Sequence, residues 1–468
     1  MRLDPDRLLP IDPATRRIAR RLYELVADLP IVSPHGHVDP ALLLDNQPFP
    51  DPAELLIRHD HYVTRLIHAA GVPLAQLGVE DRSPEATSVA AREVWRTFCE
   101  YWYLFAGTAS GYWLQTGLVE LFGIDQDPCR EIADELFDVI QAALATDEFR
   151  PRALFERFGI EVLATTDDPM DDLAKHDALA AEPSFSGRVI PTFRPDAYLN
   201  PLADGWSDRV ARLAEWNGSV ASSYRGYVDA LGGRRRYFIE HGAVSADHGV
   251  LQPLTLELSQ ADAKALFERG LRGELDDTEA ATFAAHMLLE MARMSVEDGL
   301  VMTVHPGVYR NHSSETFRRF GPDVGADIPL RTNYVEGLRP LLERFGTNPD
   351  FHLVLFSVDE GAFSREIAPL AGFYPSVYIG APWWFLDAPD SVLRFRAAVT
   401  ETAGFYRGAG FVDDTRAFLS IPARHDMSRR LDAAFLARLV SEGRLDLAAA
   451  ERISADLVDA LPRKVFKL

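Results

Sequence analysis

Short apolar runs alternate along this chain with longer segments in which apolar residues recur every three or four positions. The first run, Leu29, Ile31 and Val32, predicts a buried strand. It follows Asp12 to Leu29, where Ile18, Leu22, Leu25 and Val26 share one helical face. About 125 residues then pass before the next convincing strand, far more than one crossover helix needs. Within that gap Ala53 to Ala70 and Glu80 to Phe122 predict helices. The aromatics of the second, Trp95, Phe98, Trp102 and Trp113 among them, predict a helical subdomain with its own small core. Further apolar runs follow at Glu161 to Ala164, Arg188 to Thr192, Ala243 to Ala246, Leu300 to Val304, His352 to Phe356, Ser376 to Ile379 and Gly410 to Val412. Helical patterns fill most of the gaps, as at Asp208 to Leu231 and Ser391 to Tyr406.

About eight strand and helix alternations are the number that closes a barrel, so the predicted class is α/β, a (β/α)8 barrel with helical insertions. Residues 1–40 would hold the N-terminal helix and first strand, and 41–155 a helical insertion. Residues 156–468 would hold the rest of the barrel, with a second helical insertion near 257–298 opened by the capping-box-like Ser259-Gln-Ala-Asp262, and closing helices at the C-terminus.

Composition narrows the function. A formal net charge of −22 with no long basic run argues against nucleic acid as partner. No apolar stretch is long enough to span a bilayer, and the charged, proline-punctuated N-terminus resembles no export signal. Cys99 and Cys129 are too few for a disulfide framework or a thiolate zinc site, which fits a reducing cytoplasm. An anionic substrate would need local arginines to overcome the repulsive far field. A homo-oligomer is the base-rate expectation.

In such a barrel the C-terminal ends of the strands carry the chemistry. His35 and His37, just past the first strand and two residues apart, lie on the same side of an extended chain and could share a metal ion. His59 and His61 have the same spacing but a polar context. Nearly every later run also ends in polar or aromatic groups: Thr165 to Asp168, Arg194 and Asp196, Asp247 and His248, His305 with Arg310, Asp359 and Glu360, Trp383 and Trp384, and Asp413 to Arg416. Two histidines on the first strand and an aspartate on the last make a donor set for one divalent ion, because those strands are neighbours in a closed barrel. Arg194, Arg310 and Arg416 could supply positive potential for a substrate carboxylate, or could pair with neighbouring acids, Arg194 with Asp196 and Arg416 with Asp413. Adjacent tryptophans in a strand face opposite ways, so one of Trp383 and Trp384 is expected to line a pocket while the other packs on the barrel.

These residues resemble the uronate isomerases, the glucuronate isomerase branch of the amidohydrolase superfamily, along nearly the whole chain. The motifs that carry the resemblance are His35-Gly-His37, Asp60-His61-Tyr62 with Arg65, Thr165-Thr166-Asp167-Asp168-Pro169, Arg194-Pro195-Asp196, Asp247-His248-Gly249, His305 with Arg310-Asn311, Trp383-Trp384-Phe385, and Asp414-Thr415-Arg416 before Ala423-Arg424-His425. The resemblance implies a distorted barrel and an aldose to ketose isomerase acting on small sugar acids, D-glucuronate to D-fructuronate and D-galacturonate to D-tagaturonate. It also implies that His35, His37 and Asp414 hold one divalent metal, usually zinc and less central to turnover than in hydrolytic relatives. By the same resemblance Asp414 is the acid/base, Tyr62 assists, and Arg194, Arg310, Arg416, His61, His305 and a tryptophan serve the substrate. Gly36 stands where many members have cysteine, and Asp413 beside Asp414 where many have threonine. The rival expectation is a metal-dependent hydrolase, against which the fourth run ends without lysine and the sixth without histidine.

Overall fold

The computed structural model describes every residue except 85, 219, 221 and 222. Its strands are β1 (Ile31–Ser33), β2 (Ile160–Ala164), β3 (Arg188–Ile190), β4 (Ser245–His248), β5 (Val301–Val304), β6 (Val308–Tyr309), β7 (Ile328–Pro329), β8 (Leu353–Leu355) and β9 (Val377–Ile379). β1, β2 and β3 pair in parallel, as do β4, β5, β8 and β9 in that order. Just past β3, Phe193 joins the two sheets: its N–H donates to Ser245 O at 3.2 Å, and it accepts from Asp247 N at 2.9 Å. Beyond β9, Ala409 N donates to Ile379 O at 2.9 Å, and His37 N to Thr415 O at 3.1 Å closes the ring. The result is a (β/α)8 barrel, distorted at its last stave. Helices cover the outer faces, so β5 and β8 are buried throughout and read as continuous apolar runs rather than alternating ones.

The stave predicted at Gly410 to Val412 forms no regular strand. Gly410 has φ +80° and a β-carbon on it would meet Pro462 Cδ at 2.8 Å, and Asp414 has φ +44°, so the chain leaves extended geometry twice within five residues. β6 and β7 form a short antiparallel hairpin, absent from the sequence reading, that anchors the loop between them.

The N-terminal helix runs Pro13–Glu24, capped by Asp12, and stops short of the predicted Leu29, leaving Leu25 exposed. It packs on the helix Ile421–Ser441, whose Arg429 donates to Ala27 O at 2.8 Å and Pro30 O at 3.0 Å, fixing the approach to β1. The predicted helix Ala53 to Ala70 is broken. A π-helical turn, Glu54–Arg58, and a helix, His61–Ala69, meet at Asp60, whose carboxylate accepts from Tyr62 N at 2.8 Å. The predicted helix Glu80 to Phe122 begins only at Ala91 and is interrupted before Ala109, where Gly107 has φ +75° and Thr108 caps the next helix. Trp95, Phe98 and Phe105 are buried in one core with Ile140 and Leu154 and, from the barrel strands, Ile31 and Leu163. Trp113 points elsewhere, packing with Met427 and Leu431.

Candidate active site

The C-terminal ends of the strands open into a cavity of about 320 Å³, lined by all eleven residues to which the resemblance gave a role, while the strand-end groups Asp247, Asp359, Glu360 and Asp413 are not part of its lining. His35 and His37 reach it from the end of β1 and Asp414 from the last stave, across the seam that the His37 to Thr415 hydrogen bond closes. Asp414 Oδ1 lies 2.9 Å from His37 Nε2 and 3.4 Å from His35 Nε2. Ligand atoms of the three side chains fall within 4.8 Å of one another, and among the described residues no other cluster has a metal-binding arrangement. Asp414 Oδ1 is buried and has no well-aligned hydrogen bond, although two imidazole nitrogens face it. A carboxylate oxygen and two nitrogens converging on one point without N–H···O geometry fit a shared cation better than a hydrogen-bonded triad. Asp413 turns the other way and meets His425 Nε2 at 3.1 Å, so the two adjacent carboxylates are separated by the left-handed backbone at Asp414.

The arginines surround this centre. Arg194, past β3, donates to Asp196 Oδ2 at 2.9 Å and lies 3.6 Å from Asp247 Oδ2. Burial works against its charge, but Asp196 and Asp247 outweigh it and hold the guanidinium above its usual value. Arg310, past β6, donates to the buried Asp327 at 3.0 Å and sits 4.6 Å from the Trp384 ring centre. Arg416 pairs with Asp323 at 2.9 Å, and not with Asp413, which faces away from it. Of the two neighbour pairings the sequence left open, only Arg194 with Asp196 occurs.

His61 and Tyr62 enter at the break in the helix predicted over Ala53 to Ala70, their rings stacked 4.5 Å apart. Burial pushes the Tyr62 phenol far above its usual value, so it stays a neutral donor. Behind it Arg424, fully buried, lies 5.1 Å from the Tyr62 ring and 3.6 Å from that of Trp113, and donates to Asp387 at 2.9 Å. Both tryptophans line the cavity, contrary to the expected alternation. Trp383 is extended but Trp384 has φ +53°, which swings its ring back to the same side.

Residues in the cavity and just behind its wall include some to which the sequence had assigned no role. Asp247 is wholly buried, receives Thr303 Oγ1 at 2.5 Å and lies 2.8 Å from His305 Nε2. Burial opposes its charge, but His305, His35 and Arg194 hold it far below the usual carboxylate range. Its strand-end position was visible in the sequence, whereas His248 beside it faces away, with Nδ1 3.0 Å from Thr303 O. Asn311, which adjoins Arg310, and Asp323 line the cavity from the β6–β7 loop, and nothing in the sequence announced Asp323.

A sequence profile described as glucuronate isomerase matches residues 13–465. The chain belongs to the glucuronate isomerase family. It is 53% identical to a uronate isomerase of Corynebacterium efficiens, over 99% of this chain and 98% of that one. Among solved structures it resembles glucuronate isomerase from Caulobacter crescentus, with TM-score 0.97, 48% identity and coverage of 100% and 97% of the two chains. It also resembles uronate isomerase from Thermotoga maritima, with TM-score 0.93, 30% identity and full coverage of both. In this member of the glucuronate isomerase family the cavity concentrates unusual backbone: Asn311, Asp323, Trp384 and Asp414 have φ of 54, 60, 53 and 44°. Such positions cost of order 1–3 kcal/mol each and persist where the surroundings over-determine them.

Proposed function

We infer that this protein is a uronate isomerase, interconverting aldose and ketose forms of hexuronates: D-glucuronate with D-fructuronate and D-galacturonate with D-tagaturonate. The observation that carries the reading beyond family membership is the pairing, in one cavity, of a buried carboxylate at Asp414 with arginines from three separate strand ends. In this reading Asp414 removes the proton from the carbon next to the aldehyde and returns it to the aldehyde carbon through a cis-enediol, one carboxylate reaching both atoms. His305, backed by Asp247 and with its ring 6.2 Å from that of His35, and Arg194 face the enediolate oxygens. Arg310 and Arg416, on the Asp323 side, take the sugar carboxylate. Tyr62, neutral and donating, assists ring opening, while His61 and the tryptophans pack on the sugar.

His35, His37 and Asp414 would hold one divalent ion, which we assign as zinc from the two imidazoles and one carboxylate. When bound, it would supply Lewis acidity toward a sugar oxygen. A homo-oligomer in the cytoplasm completes the proposal. Both cysteines are free, which suits a reducing compartment.

The test is to incubate the protein with each uronate, follow ketose formation, and repeat after chelation. Ketose appearing from either uronate is the expected result, with partial activity surviving chelation. Hydrolysis of an ester or amide without isomerisation would replace this reading with the metal-dependent hydrolase.

A further inference from the structure

The β6–β7 loop places one carboxylate where the substrate's own carboxylate is expected. Asp323 Oδ2 accepts from Arg416 at 2.9 Å, and its Oδ1 lies 3.5 Å from Arg310. It sits in the segment from Gly321 to Gly325, both with positive φ, and its own φ of +60° turns the side chain into the cavity. The backbone there has little freedom. A β-carbon on Gly325 would meet Arg65 Cβ at 2.8 Å, and His312 N is tied to Ala326 O at 2.9 Å. The Asp323 side chain is about one third exposed and can rotate away without moving the loop. Arg310 would keep its place when that happens, because Asp327 holds it from behind at 3.0 Å.

We propose that Asp323 is a specificity-determining residue, a built-in carboxylate that occupies the anion subsite between Arg310 and Arg416 until an acidic sugar displaces it. This rests on the reading that those two arginines receive the substrate carboxylate. Physically, the device gives Arg416 a partner and adds a second carboxylate beside Arg310, which Asp327 already pairs, in a partly buried pocket. It also makes binding an exchange of one carboxylate for another, so a neutral sugar, which cannot replace the ion pairs, is rejected.

The test is calorimetric titration of the full-length protein and of Asp323→Asn and Asp323→Ala with D-gluconate, a non-isomerisable sugar acid, and with D-glucose. Both variants should bind gluconate about two- to fivefold more tightly than the native protein, the range for releasing a partly exposed ion pair, with no gain for glucose. Unchanged or weaker gluconate binding would mean that Asp323 merely positions the arginines, and an equal gain for both sugars would mean simple unblocking; either result overturns the proposal. Turnover of D-glucuronate by the native protein is measured separately, so a failure of the isomerase reading cannot be mistaken for a failure of this one.

Discussion

Asp414 is pulled in two directions. Burial disfavours its charge, but His35 and His37 outweigh burial and hold its carboxyl far below the usual range. A carboxylate kept charged by two facing imidazoles is a weaker base than a free one, so in the proposed reaction its placement against the sugar carries more of the proton transfer than its basicity. Asp414→Asn preserves shape and removes the proposed base. Its kcat with D-glucuronate should fall by about 10²–10⁴ while circular dichroism stays native, and near-native turnover would transfer the role elsewhere. Asp414, the paired histidines and the arginines were legible because each follows an apolar run. Asp323 was not: nothing local distinguishes it from any acid in a glycine-flanked turn, and only the tertiary approach of Arg416 gives it meaning.

The helices between β1 and β2 show how an interruption can matter more than the element it interrupts. Ile57, Val63 and Ile67 are all buried, so apolar spacing runs across Asp60 and conceals the break. Asp60 as cap is what turns His61 and Tyr62 toward the barrel. Asp60→Ala should cost about 1 kcal/mol of stability, read by denaturant titration, and lower kcat more than the stability loss explains by loosening Tyr62. The hairpin β6–β7 was equally hidden, since strands of two residues carry no period. On the opposite flank Asp167 ties the ends of β2 and β3, accepting from Thr165 Oγ1 at 2.7 Å and Thr192 N at 3.1 Å. Burial nevertheless pushes its pKa up to about 7, with Asp171 and Asp39 contributing and His176 3.9 Å away. The folded chain thus holds this proton more tightly than the unfolded chain. The stabilisation is complete below the ordinary aspartate range and is lost as pH rises through about 7. The melting temperature should therefore carry a declining contribution between about pH 4 and 7 in the native protein that is missing in Asp167→Asn.

The barrel itself was visible because parallel strands covered on both faces leave apolar runs at a regular beat, and a chain with that beat has few ways to close. Its final stave was the weak point, since Gly410 and Asp414 trade ladder geometry for the aim of one carboxylate. The seam between β1 and that stave is consequently held by few backbone bonds and by the side chains that would share the metal. Saturating zinc should raise the melting temperature by about 2–3 °C at a hundredfold excess over its dissociation constant, and His37→Ala should abolish the shift.

That seam also sets an order on synthesis. Its donors sit at positions 35, 37 and 414, and Arg429, which anchors the approach to β1, comes later still. A chain still on the ribosome carries the first two donors for most of its translation without the third. On the proposed reading, premature release yields a polypeptide without the third donor and without the carboxylate assigned as base, so truncated products should show no isomerase activity.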